Sequence, residues 1–148
     1  MTIRGQVRNY FRPALSSVQT LLREAQLPSS DLTAAHLEHF IGCGSADALD
    51  GVVGLEMYPP YALLRSLTVA PSRRNAGLGH ALVSEAERHA GEHGAREIYL
   101  LTTTAERFFE RAGYERVLRD AAPQAIRATQ EYASICPVTS AFMRKRLG

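Results

Sequence analysis

The chain has 148 residues, 45% of them hydrophobic and 22% charged, with a formal net charge of +2. A length near 150 suits one domain that buries roughly 68–70% of its unfolded surface, and a charge surplus this small excludes a strongly basic nucleic-acid domain. Two cysteines, Cys43 and Cys136, make no disulfide framework, and no apolar run nears the roughly 20 residues that span a bilayer.

Gln6 to Tyr10 is a short strand candidate. From Pro13 to Ala25, Leu15, Val18, Leu21 and Leu22 fall on one helical face, and Pro13 suits a first turn. Leu27 to Asp31 is a loop, and Asp31 or Thr33 can cap a second helix running to His39. Phe40 to Tyr58 forms a hairpin with arms Phe40-Ile41 and Gly51–Tyr58 about the polar Ser45-Ala46-Asp47. Pro59-Pro60 ends it, because proline cannot donate to a ladder. Ala62 to Val69 is almost wholly apolar, as a central strand should be.

A turn at Ala70-Pro71-Ser72 leads to a helix from Gly79 to His93, stopped at Gly94, with Leu82, Ala86, His89 and Ala90 on one face. Ile98 to Leu101 is a buried strand. Ala105, Phe108, Phe109 and Ala112 make a short helix ended by Gly113, and Tyr114 to Leu118 returns as a strand. Asp120 to Ser134 reads as a helix and Ala141 to Lys145 as a last strand; Arg144-Lys145-Arg146 reads as part of a solvated tail. The alternation predicts one α/β domain over residues 1–148, a mixed central β-sheet flanked by helices. Met1-Thr2-Ile3-Arg4 lacks the apolar stretch of a signal peptide, so a cytoplasmic protein off the membrane is expected.

Chemistry concentrates between Leu67 and Gly79, where a buried strand ends, a glycine-containing loop follows and a helix begins. Such a loop aims backbone N–H groups at the positive end of the helix dipole, a ready site for phosphate. A P-loop needs Gly-Lys-Ser/Thr, whereas Gly79 is followed by His80-Ala81. A dinucleotide fingerprint needs a third glycine where Leu82 stands. Arg74-Asn75-Ala76-Gly77-Leu78-Gly79 fits a third pattern, Arg-x-x-Gly-x-Gly, beside the plainer reading of two glycines in a strand-to-helix turn.

Leu67-Thr68-Val69-Ala70-Pro71 followed by that pattern resembles the central motif of the GNAT superfamily of N-acetyltransferases. Ala105-x-x-Phe108-Phe109-Glu110-Arg111-Ala112-Gly113-Tyr114 resembles its next motif, and the two matches cover about Leu63 to Leu118. Leu100-Leu101-Thr102-Thr103-Thr104-Ala105, Ala122-Pro123-x-Ala125-Ile126-x-x-Thr129 and Cys136-Pro137 are similar to the arsenic-resistance acetyltransferase subgroup. The Leu-Thr-Thr run is also similar to the acetyltransferase domain of bacterial N-acetylglutamate synthases.

The resemblance implies the GNAT fold, acetyl-coenzyme A (acetyl-CoA) as cosubstrate with no metal, and direct acetyl transfer to an amine. The pyrophosphate would be held by backbone N–H groups of Arg74, Asn75, Ala76, Gly77, Leu78, Gly79 and His80. Leu67, Thr68 and Val69 would line the pantetheine, with the Val69 N–H polarising the thioester carbonyl. Many relatives carry a glutamate base where Arg65 stands, and arginine cannot be a base at neutral pH. Arg65, with Ser66 beside it, is therefore expected to grip an acceptor carboxylate. Glu56 is left as base, as partner of Arg65 or as a solvated strand residue. Phe109, at the cofactor, replaces the tyrosine that usually protonates the leaving thiolate; Tyr114, Tyr132 and Cys136 are the other donors in the chain's C-terminal part.

Thr102, Thr103 and Thr104 are β-formers or substrate-facing hydroxyls. His36 and His39 share a helical face at metal-ligand spacing without a third ligand, so they read as surface histidines. Cys43 and Cys136 read as buried thiols rather than an arsenic site. The expected acceptor is a small amino-acid-like amine, arsenic- and phosphorus-containing glutamate analogues among them, and a homodimer is compatible with this reading. A polyamine, an antibiotic, glutamate itself or a protein N-terminus is the rival acceptor, and a non-catalytic acyl-CoA or arsenical sensor is the rival class.

Overall fold

A computed structural model describes residues 9–27, 29–74, 77–135 and 140–148. One seven-stranded sheet runs through them: β1 Tyr10–Phe11, β2 Phe40–Gly44, β3 Leu49–Tyr58, β4 Tyr61–Val69, β5 Glu97–Thr102, β6 Glu115–Arg116 and β7 Ala141–Arg146. Its order is β1-β2-β3-β4-β5-β7-β6. The pairings are antiparallel except β4 with β5. That parallel step needs a crossover, supplied by the long helix α2, Leu78–Glu92.

Period-two alternation sends successive side chains to opposite faces. Val53, Leu55, Leu64, Ile98, Leu100 and Met143 pack with Leu82, Val83, Ala86 and Ala90 of α2 on one face. On the other, Phe40 and Val52 meet Val18, Leu21 and Leu22 of α1 (Leu15–Glu24), while Leu63, Tyr99 and Phe142 meet Ile126 of α4 (Gln124–Arg127). The phenyl ring of Phe40 lies flat over Gly54, where any Cβ would come within 2.3 Å of it.

Four expectations are corrected. Among the described residues of the first strand only Tyr10 and its neighbour Phe11 pair, and Gln6, Val7 and Arg8 lie outside them. The helix expected up to His39 is a single 3-10 turn, His36–His39, because the chain must straighten at Phe40 to enter β2. The helix expected from Asp120 to Ser134 is broken into a 3-10 turn, α4 and a π turn at Glu131–Ile135. Pro123 holds Ala122 extended, and the Thr129 hydroxyl donates to the Ile126 carbonyl at 2.7 Å while accepting from the Tyr132 N–H, which ends α4. The strand expected over Tyr114 to Leu118 pairs only at Glu115–Arg116.

Candidate active site

β4 and β5 are paired only at Tyr61–Glu97, Ala62–Ile98 and Leu63–Tyr99. Beyond Leu63 both strands continue but the ladder stops. A β-bulge drives them apart: the β3–β4 register jumps between Gly54–Arg65 and Val52–Thr68, and Ser66 sits in the left-handed region at φ +63°. The result is a cleft of about 590 Å³, walled by Leu64–Val69 on one side and Leu100–Ala105 on the other. Strand backbone at the edge of such a gap has N–H and C=O groups without ladder partners, so an extended amide-bearing ligand can fill it as an added strand.

The cleft opens onto the N-terminus of α2. Gly77 caps that helix at φ +80°, a left-handed conformation that glycine adopts without strain. The first-turn amides of Leu78, Gly79 and His80 have no partner within the helix and carry its positive end. Gly79 has a different reason to be small, since a Cβ there would stand 3.2 Å from the Phe108 ring, on which His80 stacks at 4.3 Å. Arg74 Nε donates to the Val69 carbonyl at 3.2 Å and folds the loop back over the strand end. Asn75 and Ala76 lie outside the described residues.

Arg65 has no exposed side-chain surface, although its strand segment lines the cleft. Its two terminal nitrogens meet Asp31 at 2.5 and 2.7 Å, Nη1 also meets Glu56 at 2.8 Å, and Nη2 lies 3.3 Å from Glu131. Nε donates to Ser66 Oγ at 3.1 Å. The fork expected to grip an acceptor carboxylate is thus closed on the chain's own carboxylates. Burial alone would lower the Arg65 pKa, but Asp31, Glu131 and Glu56 outweigh it and raise it further. Burial likewise pushes Asp31 up, and the Arg65 hydrogen bond and charge pull it below its usual value.

Of the three readings of Glu56, the geometry realises the Arg65 partner. Its other oxygen accepts from the Tyr58 hydroxyl at 2.5 Å; burial and that bond raise the tyrosine's pKa. Among the described residues Glu131 is the carboxylate that lines the cleft. It was not legible in the sequence, because its segment reads as one continuous helix and only the break after Thr129 turns it inward.

Phe109 lines the cleft edge-on to Phe108 at 5.1 Å and to Tyr114 at 5.7 Å. The Tyr114 hydroxyl donates to Glu87 at 3.1 Å, and burial, then Glu87, raises its pKa. The Tyr132 hydroxyl donates to the Arg119 carbonyl at 3.0 Å. Neither proton points to the cleft, and Cys136 lies outside the described residues. Thr102 Oγ1 accepts from the Ala105 N–H and shapes the turn into α3, Glu106–Arg111, while Thr103 and Thr104 line the cleft mouth. Thr68 Oγ1 and Ser140 Oγ are buried without a hydrogen-bond partner among the described residues.

Residues 6–114 match the model of the Acetyltransferase (GNAT) family. The chain belongs to the GNAT acetyltransferase family. An uncharacterized N-acetyltransferase of Chlorobaculum tepidum is 33% identical to this GNAT chain over 92 residues, which are 62% of the chain and 59% of that relative. The chain thus spans about three-fifths of that relative's length. N-acetylglutamate synthase from Neisseria gonorrhoeae, solved with coenzyme A and N-acetyl-glutamate, superimposes with a TM-score of 0.82 at 18% identity, over 97% of this chain and 36% of that one. Rv2747 from Mycobacterium tuberculosis, solved with CoA and NLQ, gives 0.76 at 16% over 95% and 99%. At these identities the structural likeness establishes the fold. Among the described residues no helix is long and apolar enough to cross a membrane.

Proposed function

We propose that this GNAT chain transfers the acetyl group of acetyl-CoA to the primary amine of a small amino-acid-like acceptor. The observation that carries the reading is the gap between parallel strands β4 and β5, ending at the capped N-terminus of α2. The pantetheine arm enters the gap and pairs with Leu67 and Val69, while Thr68 stays on the β3 side at its pairing with Val52. The pyrophosphate rests on the first-turn amides of α2, beside Arg74. The Val69 N–H meets the thioester oxygen as it gains charge.

The acceptor lies at the bulge. Ser66 Oγ already accepts from Arg65 and so can turn its own proton toward the ligand. Glu131 draws the ammonium in and takes a proton from it, and the freed amine attacks the thioester carbon. The C–N bond forms, the C–S bond breaks, the nitrogen gives its second proton to solvent water, and coenzyme A departs as a thiolate. With Phe109 in place of a tyrosine, the thiolate takes its proton from water, which a thiol pKa near 8.5 makes tolerable. Thr103 and Thr104 offer hydroxyls to the acceptor's far end.

Amino-acid-like acceptors are supported by the N-acetyl-glutamate found with the Neisseria synthase. Arsenic- and phosphorus-containing glutamate analogues are the narrower class implied by the resemblance of Leu100–Ala105 and Ala122–Thr129. The test is acetyl transfer against glutamate, those analogues, a polyamine, an aminoglycoside and a peptide N-terminus. Fastest turnover on an amino acid or analogue is expected. Fastest turnover on the polyamine or antibiotic overturns the acceptor class, and binding of acetyl-CoA without transfer to any amine overturns the enzyme reading in favour of a sensor.

A further inference from the structure

Three histidines from separate parts of the chain converge away from the cleft. His39 closes the 3-10 turn ahead of β2, and His89 and His93 stand one helical turn apart at the C-terminal end of α2. The eleven helical steps from Leu78 to His89 put the cluster about 16 Å from the cofactor end of α2. One ring nitrogen of each histidine lies within 4.8 Å of the other two. His39 Nδ1 and His89 Nε2 are 3.0 Å apart. The His89 and His93 rings stack at 4.1 Å, and His39 stands edge-on to them at 5.3 and 5.4 Å.

His93 Nδ1 donates to the His89 carbonyl at 2.8 Å, so its Nε2 carries the lone pair. A carbonyl bond of this kind orients metal-ligating histidines and sets their tautomer. The core has no need of these rings, because Leu82, Ala86 and Ala90 complete the buried face of α2 while His93 is exposed. The positive charges of Arg12 and Arg88 near the cluster are offset by Glu38 and Glu92, and Arg88 is held by Glu85 and Glu92. Asp31, His36 and Glu56 also converge, but Arg65 already sits on both of those carboxylates.

We propose that His39 Nδ1, His89 Nε2 and His93 Nε2 bind one zinc-class divalent metal ion. Zinc takes imidazole nitrogens at about 2.0–2.1 Å, which sets them about 3.3 Å apart in a tetrahedral site. The His39–His89 separation of 3.0 Å is close to that value and the other two lie within 4.8 Å, so small side-chain rotations close the site. The hydrogen now shared by His39 and His89 moves to the far nitrogen of the ring that carries it, and all three bind as neutral imidazoles. The fourth position opens on solvent beside exposed His93. An ion there clamps the start of β2 to α2, so its effect falls on stability rather than on turnover.

The test uses the untagged full chain, stripped with a chelator and then titrated with zinc chloride. Equilibrium dialysis should find one zinc per chain, and excess zinc should raise Tm by roughly 5–10 °C. His93→Ala removes an exposed ring and should abolish the rise. His39→Gln, 50 residues away from His89 in sequence, should do the same. Melting in chelator separates a folding defect from lost binding, and the His93 variant decides if His39→Gln is unstable. No zinc dependence of the wild-type chain, or wild-type zinc affinity in the folded His93→Ala chain, overturns the proposal.

Discussion

Arg65 and Asp31, 34 residues apart in the chain, meet in a two-pronged ion pair of 2.5 and 2.7 Å within which the arginine side chain has no solvent exposure. Glu56 and Glu131 complete the arrangement, so one guanidinium holds α1's following loop, β3, β4 and the π turn together. Removing one partner of a buried pair leaves an uncompensated charge, which costs about 3–5 kcal/mol. Arg65→Ala should therefore lose about that much stability in urea unfolding and depress turnover on all acceptors alike. A loss confined to the KM of carboxylate-bearing acceptors, with stability unchanged, would restore the carboxylate clamp.

The same pair sets an acid dependence. The folded-state pKa of Asp31 lies below its ordinary 3.8, because Arg65 outweighs the opposing effect of burial. A depressed folded pKa means stability that is fully present above about pH 4 and lost as pH falls through the folded value. Urea melts between pH 7 and 2 should show this fall in the wild-type chain. Asp31→Asn should start less stable at neutral pH and show a shallower acid decline; an unchanged slope would mean that Asp31 contributes nothing.

At the helix end, Gly79→Glu would put a carboxylate where the cleft meets the first-turn amides of α2. Acetyl-CoA affinity by calorimetry should fall at least about tenfold, the worth of one charge-assisted hydrogen bond or more. Gly77→Glu should do the same and add a penalty of about 1 kcal/mol from its left-handed φ of +80°. Unchanged affinity in both folded variants would remove the phosphate role of this loop.

Phe109→Tyr supplies the hydroxyl that the family resemblance leads one to expect at this place. The ring is buried between Phe108 and Tyr114 with one face on the cleft. Turnover should hold or rise, and its dependence on pH should weaken on the acid side of the thiol pKa. A large loss with normal melting would mean that the hydroxyl displaces cofactor or acceptor.

Beside the bulge, where Gly54 pairs with Arg65, Gly54→Ala drives a methyl into the Phe40 ring at 2.3–2.6 Å. Overpacking of this kind costs about 1–3 kcal/mol. Phe40→Leu alone should also destabilise, yet the double variant should lose less than the sum, as measured by a thermal double-mutant cycle.

Much of this protein was determined by the chain's local pattern. The apolar run of β4, the amphipathic α2 and the glycine pair between them can be read from periodicity and turn chemistry alone, since each depends on neighbours within a few residues. The first family motif lies in that same stretch, and the second follows at the short helix from Ala105 to Tyr114. Local pattern could not assign Arg65, because a guanidinium grips whichever carboxylates the fold brings to it, and Asp31 and Glu131 come from opposite ends of the sequence. Glu131 faces inward only because Pro123 and Thr129 break what periodicity takes for one helix. His39 gains its partners only when β2 packs beside α2, and His36, its apparent partner in sequence, bonds Thr33 and lies near Asp31 and Glu56 instead. Elements follow from contacts within a few residues, whereas charge partners and ligand sets follow from which distant segments the sheet sets side by side.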